Sequence, residues 1–127
     1  MRYLLDTHTI IWLLEDPSKV SAPIKEKLKS PDNSVYLSSV SLWEIAINNS
    51  LGKLDLQESF ERLLSDLSST DIIILQIENE YLKAVNTLPY IHGDPFDRLI
   101  ISTAIVEDMT IITKDDNIPK YSVQCIW

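Results

Sequence analysis

Short apolar runs along the chain alternate with longer segments in which apolar residues recur at helical spacing. Apolar or β-branched runs of roughly four to eight residues, bounded by turn residues, predict strands, and longer segments with apolar residues three and four positions apart predict helices. Strands are therefore predicted at residues 2–5, 35–38, 71–77, 110–113 and 122–126. Helices are predicted at residues 7–14, 22–28, 40–51, 57–67, 78–88 and 94–107.

The order of these elements favours a parallel sheet. The predicted strands are short, apolar on both faces and separated by helices, which is typical of a sheet covered on both sides. We expect an α/β fold, a three-layer α/β/α sandwich with a short, mostly parallel central sheet of about five strands. The length of 127 residues fits one domain over residues 1–127. Ligands of such sheets gather at the carboxyl ends of the strands, so residues that directly follow a strand are the first candidates for a site.

Composition excludes several classes of protein. The only cysteine, Cys125, cannot form a disulfide within the chain, and two glycines are too few for a glycine-rich phosphate loop. The apolar run at the N-terminus is too short for a signal peptide or a membrane span, so we expect a cytoplasmic protein that does not enter a membrane.

The net charge of −8 argues at first against a nucleic-acid partner, because surfaces that bind phosphates are usually basic. Two interpretations remain open. Either the acidic residues are spread over solvated faces, or several of them share a pocket whose charge is inverted by a bound metal ion. The second interpretation requires acidic residues at positions where solvated ones are not expected.

Asp6 and Asp115 lie at the carboxyl ends of two predicted strands. Asp6 is explained equally well as the N-cap of the following helix, because aspartate accepts hydrogen bonds from free backbone N–H groups there. A solvated turn is the alternative for the pair Asp115 and Asp116, and we favour it for Asp116. If the two strands are neighbours, both candidate carboxylates face one crevice, and Thr113 is placed to hydrogen-bond one of them.

Glu44 interrupts an apolar helical segment. Val40, Trp43, Ile47 and Leu51 form a stripe, and Glu44 lies within or beside it, so solvating Glu44 would expose an apolar neighbour. Burial of an unpaired carboxylate costs several kcal/mol, so a buried Glu44 needs a cation or a raised pKa. A functional role is therefore favoured over an ordinary surface glutamate.

Asp94 and Asp97 belong to the predicted start of a helix. Asp94 suits the N-cap position and Pro95 the first helical position, which makes Asp94 structural. Asp97 also lies where negative charge favours a helix. However, Ile101 and Ala104 follow it by four and seven residues and place it on the apolar face, so Asp97 is the site candidate.

The four candidates map to one edge of the predicted sheet: Asp6, Glu44, Asp97 and Asp115. Carboxylates about 5 Å apart repel by roughly 3 kcal/mol per pair at an effective dielectric constant near 20, so the cluster needs a compensating cation. Mg²⁺ or Mn²⁺ is expected, because these hard ions prefer oxygen ligands. Zinc is not expected, because the possible nitrogen and sulfur ligands are isolated in sequence: His8, His92 and Cys125.

Four sequence blocks resemble the PIN-domain family, and more narrowly the VapC-type toxins of type II toxin–antitoxin systems. The resemblance covers essentially the whole chain, and the block around Asp97 is its most specific part. The blocks are Leu4-Leu5-Asp6-Thr7-His8, Ser41-Leu42-Trp43-Glu44-Ile45-Ala46-Ile47, His92-Gly93-Asp94-Pro95-Phe96-Asp97-Arg98-Leu99-Ile100 and Thr113-Lys114-Asp115.

The resemblance implies a PIN-like fold and a metal-dependent endoribonuclease that hydrolyses RNA with Mg²⁺ or Mn²⁺. By position, Asp6, Glu44, Asp97 and Asp115 match the acidic quartet of the family, which holds the metal and is catalytic. Asp94 and Asp116 would assist from behind that quartet. The alternative is a catalytically inactive PIN-like module that binds RNA or a protein partner.

The resemblance also implies two protein partners. One is a cognate antitoxin whose C-terminal segment occupies the active-site groove, and the other is a second copy of the chain in a homodimer. The chain departs from the family pattern at Asn48, where relatives often carry a lysine. Lys53, directly after Gly52, is the candidate to take over a role in holding RNA.

Overall fold

The computed structural model describes residues 1–127 and contains five strands and six helices. The strands are β1 (Arg2–Leu5), β2 (Ser34–Ser38), β3 (Ile73–Leu75), β4 (Thr110–Ile112) and β5 (Cys125–Ile126). The helices are α1 (Thr7–Glu15), α2 (Ala22–Lys29), α3 (Ser39–Ser50), α4 (Phe60–Ser68), α5 (Asn79–Thr87) and α6 (Pro95–Glu107). Short 3₁₀ turns lie at Pro17–Lys19 and Ile118–Lys120.

The five strands form one sheet in the order β3-β2-β1-β4-β5. Every neighbouring pair is parallel, so the expected mostly parallel sheet is entirely parallel. Leu5 at the end of β1 is in register with Leu37 of β2 and Ile112 of β4. The chain therefore leaves these three strands at one edge of the sheet.

Helices cover both faces of the sheet, which confirms the expected α/β sandwich. Because side chains alternate along a strand, Leu5 and Leu4 of β1 point to opposite faces. Leu5 belongs to a core that includes Ile10 of α1 and Leu63 of α4. Leu4 belongs to a second core that includes Ile100 of α6.

Side-chain caps determine where most helices begin. A residue just before the helix accepts a hydrogen bond from a backbone N–H of the first turn at five of the six helices, at Asp6, Ser21, Ser38, Ser59 and Asp94. None of the helices has the length and apolar character required to span a membrane.

The largest error in the predicted helix boundaries is at α4, which begins at Phe60 instead of residue 57. The carboxylate of Glu15, at the end of α1, accepts hydrogen bonds from the backbone N–H groups of Gln57 (3.0 Å) and Glu58 (3.2 Å). These contacts hold the segment outside the helix, and Ser59 then caps α4 through the N–H of Arg62 (3.1 Å). The predicted strands at residues 71–77 and 122–126 are likewise shorter, at Ile73–Leu75 and Cys125–Ile126.

Candidate metal centre at the carboxyl edge of the sheet

Asp6 lies where β1 ends in the middle of the sheet, and only 4% of its surface is exposed. Its Oδ1 accepts a hydrogen bond from the N–H of Thr7 (2.8 Å), and its Oδ2 accepts one from Oγ1 of Thr113 (2.7 Å). The N-cap interpretation is therefore correct, and the expected contact of Thr113 is also present. Burial raises the pKa of Asp6, and the hydrogen bonds from Thr113 and Thr7 oppose that rise.

Glu44 extends from α3 toward the start of α1. Its Oε1 accepts a hydrogen bond from Oγ1 of Thr7 (2.7 Å), so Thr7 contacts both Glu44 and Asp6. Glu44 is half-buried. Burial raises the pKa of its carboxyl group, and the neighbouring carboxylates of Asp94 and Asp6 raise it further.

The prediction that the apolar stripe beside Glu44 is buried is wrong in part. Val40 is buried, but Trp43 is 59% exposed and Leu51 is 61% exposed. Trp43 packs edge-on against Phe96, with ring centroids 5.3 Å apart, so it lies over the seam between α3 and α6 and not under it. Placing Glu44 near the core therefore does not require Trp43 to be buried.

Asp97 is buried at the first turn of α6, as expected from its apolar neighbours Ile101 and Ala104. Asp94 caps the helix, because its Oδ1 accepts hydrogen bonds from the N–H groups of Phe96 (2.9 Å) and Asp97 (3.0 Å). Burial raises the pKa of Asp97 to about 8, with further contributions from four carboxylates, in the order Asp6, Asp94, Glu44 and Asp115. All four therefore lie close enough to repel a charge on Asp97.

Asp115 is half-buried in the turn that follows β4. Its backbone N–H donates to Oγ1 of Thr113 (3.0 Å), and its Oδ1 accepts from the N–H of Asn117 (2.8 Å). Thr113 thus links Asp115 to Asp6, while one oxygen of Asp115 stabilises its own turn. Asp116 is exposed, in agreement with a solvated turn position.

His92 also belongs to this cluster, whereas the sequence alone predicts an isolated histidine. Its Nε2 lies 3.1 Å from Oδ2 of Asp97. Ligand atoms of His92, Asp94 and Asp97 all lie within 4.8 Å of one another. The signal was present in the block from His92 to Asp97, because a turn before a capped helix folds back over the first helical turn.

Asn48 and Lys53 lie at the far end of α3. The carbonyl group of Asn48 accepts hydrogen bonds from the N–H groups of Lys53 (2.9 Å) and Leu54 (3.2 Å), which closes the turn after the helix. Gly52 adopts φ 72° in this turn, the left-handed conformation that favours glycine after a helix. Lys53 is exposed and forms no ion pair within the chain.

The donor set at this edge suits a hard divalent cation. Ligand atoms of His92, Asp94 and Asp97 lie within 4.8 Å of one another, and the carboxylates of Asp6, Glu44 and Asp115 lie near enough to raise the pKa of Asp97. Oxygen-rich sets of this kind bind Mg²⁺ or Mn²⁺ in preference to softer metals. The raised pKa values of Asp6, Glu44 and Asp97 show that several negative charges here are unfavourable without a cation.

A separate cleft of about 840 Å³ lies at the opposite end of the sheet. It is lined by residues of α2, of the amino end of β2 and of the chain before β3, including Leu28, Val35 and Ile72. No residue of the carboxylate cluster lines it. The volume of a cleft therefore does not identify the candidate site. The clustering of titratable side chains at the carboxyl edge of the sheet identifies it.

A sequence model of the PIN domain family matches residues 3–124 of the chain. A comparison with curated proteins finds no match. Among solved structures, VapBC2 from Rickettsia felis bound to a DNA fragment from their promoter has a TM-score of 0.75 at 20% identity, covering 99% of this chain and 98% of that chain. VapBC-1 from nontypeable Haemophilus influenzae has a TM-score of 0.68 at 21% identity, covering 99% and 97%.

VapBC-5 from Mycobacterium tuberculosis, a member of the VapBC family of toxin-antitoxin systems, has a TM-score of 0.63 at 20% identity, covering 98% of this chain and 97% of that chain. At such identities the likeness to these solved structures shows the fold.

Proposed function

The chain belongs to the PIN domain family, and we propose that it is a metal-dependent endoribonuclease that acts as the toxin of a toxin–antitoxin pair. The observation that carries this proposal is the position of Asp97, which is buried close to four other carboxylates, so that burial and their repulsion together raise its pKa to about 8. A fold does not retain so much repulsion for stability alone, because removing any one charge would relieve it. We take the cluster to be an active centre.

In this proposal Asp6, Glu44, Asp97 and Asp115 hold Mg²⁺ or Mn²⁺. When bound, the metal ion would supply Lewis-acid polarisation of the scissile phosphate and lower the pKa of a water molecule. It would also invert the local charge, which removes the conflict between RNA binding and a net charge of −8.

The protein's own contribution is to orient the carboxylates before RNA arrives. Thr113 and the N–H of Thr7 each bind one oxygen of Asp6, and the hydroxyl of Thr7 binds Glu44. These three hydrogen bonds join α1, α3 and the residue that follows β4, so both carboxylates are fixed by the scaffold. Fixed acidic groups lower the reorganisation that the reaction requires.

Asp97 holds a proton in the metal-free protein near neutral pH, because its pKa of about 8 lies above that pH. Cation binding requires the ionised carboxylate, so that proton must leave when the ion enters. The site should therefore bind metal more tightly as the pH rises toward 8.

We also propose a cognate antitoxin and a second copy of the chain as partners. The antitoxin is supported by structural neighbours that are VapBC complexes, one of them described as a toxin-antitoxin system. Exposed apolar side chains at Trp43, Leu82 and Tyr90 leave surface for protein contacts.

The decisive experiment incubates the purified protein with total RNA, with and without Mn²⁺, and maps the cleaved ends. Asp6→Asn and Glu44→Gln should abolish cleavage without unfolding the protein. Glu107→Gln is the matched control, because Glu107 lies at the far end of α6 and is bound to Arg2 and Tyr81. RNA binding without cleavage by the wild type would instead support the inactive binding module, and retained cleavage in Asp6→Asn would refute the assigned residues.

A further inference from the structure

We propose that Tyr121 and Arg98 are positioning residues that act on Asp97 through His92. This inference rests on the proposed function, because it concerns how one carboxylate of the candidate metal centre is presented. It assigns a role to the segment between α5 and α6 (residues 88–93), which contains no regular helix or strand. We refer to residues 88–93 as the crossing segment.

The hydroxyl group of Tyr121 holds the second half of the crossing segment. Tyr121 follows the 3₁₀ turn Ile118–Lys120 and is 5% exposed. Its oxygen accepts hydrogen bonds from the backbone N–H groups of Ile91 (3.2 Å) and His92 (2.9 Å). The N–H of Ile91 also donates to the carbonyl oxygen of Pro89 (3.0 Å), whereas the hydroxyl of Tyr121 is the acceptor for the N–H of His92, 29 residues away in the chain.

Arg98 holds the first half of the same segment. Its Nη1 donates to the carbonyl oxygen of Pro89 (3.0 Å) and to the hydroxyl of Tyr121 (3.2 Å), and its Nη2 donates to the carbonyl oxygen of Leu88 (3.2 Å). The guanidinium carbon also lies 5.0 Å from the ring centroid of Tyr90. This guanidinium is therefore occupied by the protein and is not a free surface charge for a phosphate.

The two anchors place His92 over the first turn of α6. With its proton on Nε2, the imidazole donates to Oδ2 of Asp97 across 3.1 Å. The other oxygen, Oδ1, accepts no hydrogen bond from the protein, and the Asp97 side chain is 11% exposed to solvent. One oxygen of Asp97 is thus fixed by His92, which leaves the other available to a cation.

Arg98 directly follows Asp97 in the first turn of α6, so the position of the crossing segment is tied to the position of Asp97. The residue that carries the candidate ligand and the residue that anchors the crossing segment are fixed by the same helical turn. A shift of the crossing segment would move His92 relative to Asp97. Hydrogen-bond partners that orient metal ligands typically change metal affinity about 10–100-fold when they are removed.

The test compares two buried tyrosines that each lose one hydroxyl group. Tyr121→Phe removes the anchor, and Tyr81→Phe is the matched control, because Tyr81 is 4% exposed and donates its hydroxyl to Glu107 at the other end of α6. Calorimetry with Mn²⁺ alone should show about tenfold weaker binding for Tyr121→Phe. Tyr81→Phe should remain within about twofold of the wild type, as expected for a hydroxyl that is not linked to the ligands.

Two further measurements separate positioning from simple loss of stability. In the metal-free protein, amide hydrogen exchange at His92 should accelerate in Tyr121→Phe and stay unchanged in Tyr81→Phe. His92→Ala should weaken Mn²⁺ binding as Tyr121→Phe does, whereas His92→Gln should restore most of it, because the glutamine amide can donate to Asp97 in place of Nε2.

The outcomes are distinguishable. If wild-type protein binds Mn²⁺ and Tyr121→Phe binds it equally well, the positioning role is refuted while the proposed function stands. If the wild type binds no Mn²⁺, the proposed function fails and the inference fails with it. Imidazole nitrogen coupling to bound Mn²⁺ in electron paramagnetic resonance would show that His92 is itself a ligand, which also overturns a positioning role.

Discussion

Helix α6 carries an acidic residue near each end, and the two carboxyl groups experience opposite environments. Asp97, in the first turn, is buried among other carboxylates, and its pKa rises to about 8. Glu107, the last residue of the helix, accepts hydrogen bonds from Tyr81 (2.9 Å) and Arg2 (3.2 Å). These contacts lower its pKa, with the Tyr81 hydrogen bond contributing most.

The helix dipole predicts the reverse. It favours negative charge at the first turn, where Asp97 lies, and disfavours it at the last turn, where Glu107 lies. Its effect is about 0.3–1 kcal/mol, less than the roughly 1.4 kcal/mol that corresponds to one pKa unit. Burial and neighbouring carboxylates outweigh helix position at Asp97, and the hydrogen bonds from Tyr81 and Arg2 outweigh it at Glu107.

The difference distinguishes an acid that stabilises the fold from one that the fold must accommodate. Glu107 has a cation and a hydroxyl donor as partners and is partly solvated. Asp97 has other acids as neighbours and a single hydrogen bond to its carboxylate from His92. The first end of α6 is therefore where the proposed function places an added cation, and the second end already has Arg2 as its partner.

The largest difference between the two ends of α6 is expected in how variants at each end respond to Mn²⁺, measured as the gain in the free energy of unfolding. At a free concentration one hundred times the dissociation constant, a ligand that binds only the folded state adds about 2.7 kcal/mol to the free energy of unfolding. We expect this gain in the wild type and in Glu107→Gln, and its loss in Asp97→Asn. Denaturant unfolding with and without Mn²⁺ measures it, and an equal gain in all three proteins would place the metal elsewhere.

The second-largest difference between Asp97 and Glu107 is expected in how the free energy of unfolding depends on pH. The pKa of Asp97 is 3.8 without the fold and about 8 within it, so between these values the folded chain binds more protons than the unfolded chain. The contribution of Asp97 to the free energy of unfolding of the metal-free protein therefore falls as the pH rises from about 4 to about 8.

Asp97→Asn should remove that fall. After allowance for the part of the carboxyl group that water screens, we expect the two stability profiles to diverge by on the order of 2 kcal/mol. Urea unfolding at a series of pH values provides the measurement. Parallel profiles for wild type and Asp97→Asn would show that Asp97 ionises normally.

The first end of α6 was largely predictable from the sequence, because its determinants are local. Asp94 and Pro95 mark the helix start, and the apolar residues Ile101 and Ala104 place Asp97 on the buried face. The meeting of Asp6 with Thr113 also followed from the pattern, since it requires only that β1 and β4 be parallel neighbours.

The errors share a physical cause, which is contact between residues distant in sequence. His92 reaches Asp97 because a tyrosine about thirty residues away holds its backbone, and no periodicity reveals that. The start of α4 depends on the carboxylate of Glu15, and Trp43 lies on the surface, where it packs edge-on against Phe96. The pairing of Glu107 with Arg2 spans 105 residues and does not follow from the sequence pattern either.

Glu107→Gln should have a smaller effect, confined to stability. The ion pair between Arg2 and Glu107 is exposed, so its loss should lower the free energy of unfolding by about 0.2–1 kcal/mol. Because folding lowers the pKa of Glu107, its contribution is present above the ordinary value of 4.5 and disappears as the pH falls through the folded value. Unfolding at a series of pH values from 7 downward should show a difference from the wild type that shrinks as the pH falls below 4.5. A difference that stays constant over the whole series would mean that packing, not charge, is responsible.

The smallest effect is expected at Asp108, immediately after Glu107. Asp108 adopts φ 54° and ψ 52°, the left-handed conformation, and its N–H donates to carbonyl groups of the last helical turn. Asp108→Gly relieves the crowding of Cβ in this conformation but gains freedom in the unfolded chain, so we expect a net increase in unfolding free energy of about 0.5 kcal/mol. Asp108→Ala also removes the carboxylate, which is unfavourable at a helix C-terminus, yet keeps Cβ. If the two variants are equally stable, charge and not backbone conformation limits the stability of this end of α6. Neither variant should change the affinity for Mn²⁺, because the candidate metal centre lies at the first turn of α6.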